Sequence, residues 1–218
     1  MKRNILSLSA LLVAVAIIFS SCGKEDLGAP TVSITGDNPY EMELGGTFTD
    51  PGATANDEED GDLTSKIVVT GDVNAEKVDE YTLTYKVTDK AGNDGSATRK
   101  VRVKSNKLAA TYRVTETFSD NSTYEYTQTV AQSSSDWNKL VLNGFGDYGQ
   151  SATTTLTVGS NGFTGANITF TDNQGTVNIT NISGTYGKVS GNYNVINVSY
   201  SFSDGGTPTV VNQTYVRQ

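Results

Sequence analysis

Alternation of period two runs through nearly all of this 218-residue chain, and no useful helical period follows its N-terminal apolar run. Tyr81-Thr82-Leu83-Thr84-Tyr85-Lys86-Val87-Thr88 sets apolar or aromatic residues at every odd position and polar ones at every even position. That is a strand with one buried face. Asp89 to Gly95 then supplies turn residues, and Ala97–Val103 runs back as the second arm of a long hairpin. Thr31–Ile34 and Lys66–Thr70 read as shorter strands between Gly-rich turns. About seven strands over residues 31–104 with no helix predict a β-sandwich. Tyr81, opening its strand after a corner, fits the tyrosine that closes such corners.

Composition divides what remains. Pro30–Lys104 holds 15 acids and 4 aromatics, whereas Ser105–Gln218 holds 7 acids and 14 aromatics. Ser105-Asn106-Lys107 lies between two alternating segments and reads as the boundary, so that each side is long enough for its own core. In residues 107–218 eight strands are predicted: Thr111–Phe118, Thr123–Val130, Lys139–Leu142, Thr153–Val158, Asn167–Phe170, Thr176–Ile179, Val195–Phe202 and Thr209–Val216. Such an antiparallel series either closes into an eight-stranded barrel or packs as a second sandwich. The fold class expected is all-β: an Ig-like sandwich followed by a barrel or another sandwich.

The N-terminus has a different logic. Lys2 and Arg3 precede an apolar run from Ile5 to Phe19, too short to span a bilayer comfortably and of signal-peptide length. The run ends at Ser20-Ser21-Cys22-Gly23, which resembles the bacterial lipobox with Phe19 where leucine is usual. That resemblance implies a signal peptide over 1–21, lipid on Cys22 and a tether over 22–30, with acyl chains as the membrane contact. Lys24, Glu25 and Asp26 resemble the surface-export signal of Bacteroidetes lipoproteins, which implies an outer-membrane protein facing the exterior.

Cys22 is the only cysteine and the chain has no histidine. Once Cys22 carries lipid, no disulfide, thiol nucleophile, Ser-His-Asp triad or histidine metal site can be built. Carboxylate-pair chemistry survives, but five of the seven acids of the second half fall in predicted turns and no motif frames a pair. The expectation is a non-catalytic protein without a resident cofactor. Without Lys2 and Arg3 the chain carries 14 basic against 24 acidic residues. That balance excludes nucleic acid as a partner.

Leu44-Gly45-Gly46-Thr47-Phe48-Thr49-Asp50-Pro51-Gly52-Ala53-Thr54-Ala55, Asp60-Gly61-Asp62-Leu63-Thr64, Tyr81–Asp89 and Gly92-Asn93 resemble the bacterial Ig-like family of pesticidal-crystal-protein repeats and surface proteins. The family sets glycine two residues before the first strand tyrosine, where this chain has Asp79. The resemblance implies a spacer or adhesive module and specifies architecture more than activity. Ala110–Val114, Asn143–Gly146 and Ile182–Tyr186 are similar to the calycin-type barrels that end many Bacteroidetes lipoproteins.

Two clusters are candidate sites. The Asp57–Asp62 run imitates the start of an EF-hand, but the twelfth position from Asn56 is Ile67, so an EF-hand is excluded. Either Asp50, Asp57, Asp60 and Asp62 form a calcium site, or the run is a solvated acidic turn. Trp137 and Tyr148 fall in loops beside the Lys139–Gly146 segment. Their rings either stack on sugar faces or plug the core. The second domain is expected to carry the recognition surface, for a glycan or a surface protein, with the first as a stalk. The alternatives are a barrel holding a small apolar ligand and a purely structural subunit.

Overall fold

The computed structural model describes residues 25–147, 152–171 and 175–218. Its strands are β1 Thr31–Ile34, β2 Tyr40–Glu43, β3 Ala53–Asp57, β4 Gly61–Asp62, β5 Val68–Thr70, β6 Glu80–Thr88, β7 Asp94–Lys104, β8 Ala110–Thr117, β9 Thr123–Gln132, β10 Lys139–Leu142, β11 Thr154–Gly159, β12 Gly162–Gly165, β13 Ile168–Thr171, β14 Thr176–Val189, β15 Asn192–Ser203 and β16 Thr209–Arg217. The first seven make the expected sandwich, a three-stranded sheet ordered β1-β3-β4 and a four-stranded sheet ordered β2-β7-β6-β5. Tyr81 forms its corner, its hydroxyl donating to the Lys77 carbonyl at 3.3 Å.

Contacts divide the chain into two compact units, and the division crosses the sandwich strands rather than falling at Ser105–Lys107. One unit runs up to Ser33 and takes in Ala53–Val69 and Tyr85–Ala97; the other holds Ile34–Gly52, Thr70–Thr84 and Thr98–Gln218. The first is centred on Ala55, Leu63 and Val87, with Val32 and Ile67 packed against them. In the second, Arg99 on β7 is fully buried, and its guanidinium donates to the carbonyls of Asp37, Thr35 and Gly52 at 2.5, 2.6 and 2.9 Å. Its Nε stands 3.5 Å from the Asp50 carboxylate. A buried cation is tolerated because its donors meet fixed acceptors.

Strands β8–β16 form the expected antiparallel barrel of eight staves, because β12 and β13 are successive parts of one stave. That stave pairs with β14 at Ile168↔Ile179 to Thr171↔Thr176, then again at Phe163↔Gly184 and Thr164↔Ser183. Between the two stretches β14 shifts register at Thr180/Ser183, with Asn181 at φ 56°. A bulge of this kind bends a strand and lets the sheet close on itself. The interior is filled by the barrel's own side chains, among them Tyr112, Leu140, Leu142, Phe145, Leu156, Ile179 and Tyr200, all buried. At one level they are polar. The buried Glu116 carboxylate accepts from Tyr200 Oη at 2.7 Å and Gln213 Nε2 at 2.6 Å, and Gln213 Nε2 also donates to Tyr126 Oη at 2.7 Å. This packing fills the interior with core side chains.

Gly184 lets the closing seam form. A Cβ there would stand 2.1 Å from the Asn197 carbonyl oxygen and 2.3 Å from Phe163 Cζ. Gly184→Ala is therefore expected to destabilise the protein by about 2–3 kcal/mol through overpacking, measured as a lowered urea midpoint against the parent.

A candidate binding groove at the barrel seam

The loop between β9 and β10 carries Trp137, and it is held by its own polar residues. The Ser133 hydroxyl oxygen accepts from the Asp136 N–H at 3.2 Å, Ser135 Oγ donates to the Asp136 carboxylate at 2.7 Å, and Gln132 Nε2 donates to the Asp136 carbonyl at 2.8 Å. The Trp137 carbonyl accepts from the backbone N–H and the hydroxyl of Ser105, a fully buried residue, at 3.0 and 3.2 Å. The indole is half-buried. The Arg102 guanidinium lies over it, 5.8 Å from the ring centroid, within cation–π range. Arg102 is in turn aimed by Glu80, whose Oε2 accepts from Arg102 Nε at 2.9 Å.

Trp137 forms part of the wall of a groove of about 740 Å³, within the range of small-ligand sites. The wall continues through Asn138, Thr157, the turn Ser160-Asn161-Gly162, Phe163, Ser183–Thr185, and Asp79 and Glu80 from the sandwich, all in the second unit. The floor is the seam of β12 and β14. Tyr186 pins it, accepting from the Val78 N–H at 2.8 Å and donating to the Gly159 carbonyl at 3.0 Å. The groove wall thus draws on two sandwich residues besides those of 107–218.

The charges in the groove are fixed. Hydrogen bonds from Lys100 first and Arg102 second hold Glu80 below its usual carboxylate range. An acid catalyst for glycoside cleavage needs the opposite shift. Asp79 accepts from the Glu80 N–H at 2.8 Å, and among the described residues no cation pairs with it. The arrangement offers an aromatic face, amides, hydroxyls and one carboxylate without a cation partner among the described residues.

The other predicted residues fall as follows. Tyr148, Cys22 and Lys24 lie outside the described residues. Phe145–Asp147, just before Tyr148, follow β10, whereas Trp137 precedes it, so the loops stand at opposite ends of that strand. Glu25 is exposed. Asp50, Asp57, Asp60 and Asp62 are not drawn together as one cation site. Asp50, in the second unit, accepts from the Gly52 N–H and faces Arg99. Asp60 accepts from the Lys90 N–H and Nζ, both at 2.8 Å, and Asp62 from the Thr64 N–H at 2.8 Å. Each is neutralised or bonded where it stands.

Asp57 instead converges with Asp26 and Asp89, one oxygen of each lying within 4.8 Å of the others. Three carboxylates are a hard-cation donor set, and neither Asp26 nor Asp89 stood out as a ligand in sequence because they come from distant turns. Asp57 Oδ1 already accepts from the Glu59 and Asp60 N–H groups at 2.9 Å, and Asp89 takes the Asn93 N–H at 2.7 Å and the Asn93 side-chain amide at 2.8 Å. Burial raises the Asp89 pKa, but these donors, led by Asn93, outweigh it and leave the carboxyl below its usual value. The acidic turns are closed by backbone donors.

An Ig-like sandwich followed by a closed eight-stranded barrel defines an all-β architecture with its groove at the seam. Residues 32–103 match the family described as Bacterial surface protein, Ig-like domain. Similar solved structures include a Bacteroides thetaiotaomicron lipoprotein, 17% identical over 87% of this chain and 100% of that one, with a TM-score of 0.35. The second CBM51 module of Clostridium perfringens ZmpB, in complex with GlcNAc and together with INT domains, is 15% identical over 85% of this chain and 43% of that one, with a TM-score of 0.30. The M60 catalytic domain of the same protein with both CBM51 modules is 16% identical over 86% of this chain and 21% of that one, with a TM-score of 0.29. No curated protein matches the sequence.

Lowered carboxyl groups fix the acid response. Glu80 is held below 4.5 by Lys100 and Arg102, and Glu76 by Lys188 and Tyr193. The unfolded chain takes up these protons first on acidification, so the stabilisation is present above pH 4.5 and is lost as pH falls through the lowered folded values. Urea midpoints should hold steady from neutral pH to that point and drop below it, and Glu80→Gln should shrink the drop.

Proposed function

We propose that this protein is a non-catalytic, lipid-anchored binding protein of the bacterial cell surface, and that the groove at Trp137 takes an uncharged glycan. The observation that carries the reading is an aromatic ring, fixed at both its backbone and its face, on the wall of a groove rich in amides and hydroxyls. A sugar ring has an apolar C–H face and a rim of hydroxyls, so it suits that combination. Glu80, paired with two cations and ionised at neutral pH, supports binding rather than hydrolysis. The surface-protein Ig-like domain and the lipobox at Cys22 support the location.

Two experiments test this. Affinity electrophoresis of the mature chain through neutral glycans should show retardation that survives high salt, since little of the contact is Coulombic. Trp137→Ala should weaken it about tenfold or more, the usual cost of truncating a central tryptophan. Retardation unchanged by Trp137→Ala overturns the groove as the site. For the anchor, labelled palmitate should enter the parent and not Cys22→Ala, and protease added to intact cells should remove the parent from the surface. Label on the variant, or full protection of the parent, contradicts the corresponding half of the reading.

A further inference from the structure

The Trp137 groove does not end at the Ser160–Gly162 turn. A second hollow of about 380 Å³ lies on the other side of that turn, and the two share Ser160, Asn161, Gly162 and Thr185 as common wall. The second hollow has its own recognition chemistry, with Tyr186 and Tyr193 on its wall beside Lys77 and Lys188. Lys188 is committed. Its Nζ lies 2.7 Å from Glu76 Oε2 and 4.9 Å from the Tyr193 ring centroid, and Glu76 also accepts from the Tyr193 hydroxyl. Lys77 is exposed, and among the described residues no carboxylate pairs with its ammonium group. The second hollow is therefore left with one net positive charge, the Lys77 ammonium group, which is also a free multivalent hydrogen-bond donor.

We infer that the two hollows are successive subsites of one cleft, and that the ligand is a chain of linked neutral sugars crossing the Ser160–Gly162 turn rather than a single terminal sugar. This rests on the glycan reading of the Trp137 groove. One sugar unit would stack on Trp137. The next would pass over the turn, where Asn161 is exposed and Gly162 has no side chain to block the way. A further unit would reach Lys77, whose three N–H donors can meet hydroxyl oxygens of any linkage. A carboxylate on the unit at Trp137 would meet the unpaired Asp79, so a uronate should be disfavoured at the first subsite.

The test is calorimetry of the mature chain with β-1,4-glucose, β-1,4-mannose and α-1,4-glucose oligomers of one to six units, and with oligogalacturonates of the same lengths. For the neutral series that binds, affinity should rise about tenfold between the disaccharide and the tetrasaccharide, the size of one or two added hydrogen bonds, and then level off. Lys77→Ala should remove that gain and leave disaccharide affinity unchanged, whereas Trp137→Ala should weaken every length. Equal affinity for disaccharide and hexasaccharide, with Trp137 still required, overturns the extended cleft and leaves the single-sugar site. A length gain that persists in Lys77→Ala overturns the second subsite as drawn. Binding by none of the neutral series overturns both readings.

Discussion

The barrel closes on two residue pairs, Phe163↔Gly184 and Thr164↔Ser183, and the groove exists because the seam is so short. Three glycines make the approach possible. A Cβ at Gly162 would stand 2.3 Å from the Gly184 carbonyl oxygen, one at Gly165 would stand 2.6 Å from Ile182 Cγ2, and Gly184 is blocked by Asn197 and Phe163. Glycine in a strand normally weakens it, and it is kept where another backbone must come close. Beyond these pairs β12 gives way to β13, and the bulge at Thr180/Ser183 realigns β14 to meet it.

That seam is also the floor of the groove, so groove and fold share their constraints. Tyr186 bridges Val78 and Gly159 next to it, Arg102 lies over the Trp137 ring, and Ser105 holds the Trp137 carbonyl. Both ends of the Tyr186 bridge are backbone groups, a Val78 N–H and a Gly159 carbonyl, and buried backbone groups must be paired somewhere. A ligand entering such a site meets groups already in place and loses little free energy in ordering them.

Alternation made most of the fold legible. The expected Thr31–Ile34 and Lys139–Leu142 coincide with β1 and β10, and Tyr81–Thr88 and Ala97–Val103 lie within β6 and β7. Lys66 of the expected Lys66–Thr70 strand, however, sits in a 3-10 turn, and Asp94-Gly95, read as turn, already belong to β7. What escaped was β12 and the second half of β14. Gly162-Phe163-Thr164-Gly165 reads as a turn by propensity, and Asn181 at positive φ breaks the period of two within β14. The features that make the seam are thus those that local propensity scores as non-strand. Trp137 was legible as an aromatic outside the alternation. Its partners were not, because Asp79, Glu80 and Arg102 belong to the sandwich and reach it only through tertiary structure.

The barrel interior is filled by its own side chains. A barrel of eight staves can hold one small ligand only if its inward positions are small or absent. Here they include Tyr112, Leu156 and Tyr200, with Phe145 from the turn after β10 packed against Tyr200 and Glu116 and Gln213 locked in a hydrogen bond. A buried carboxylate costs free energy unless donors surround it, and Tyr200 and Gln213 occupy the oxygen that a ligand would need. Burial pushes the Tyr126 and Tyr215 hydroxyls to higher pKa, so they remain protonated at physiological pH. The interior is therefore committed to holding the staves together. The groove opens instead at the glycine seam, where β12 and β14 pair over two residues.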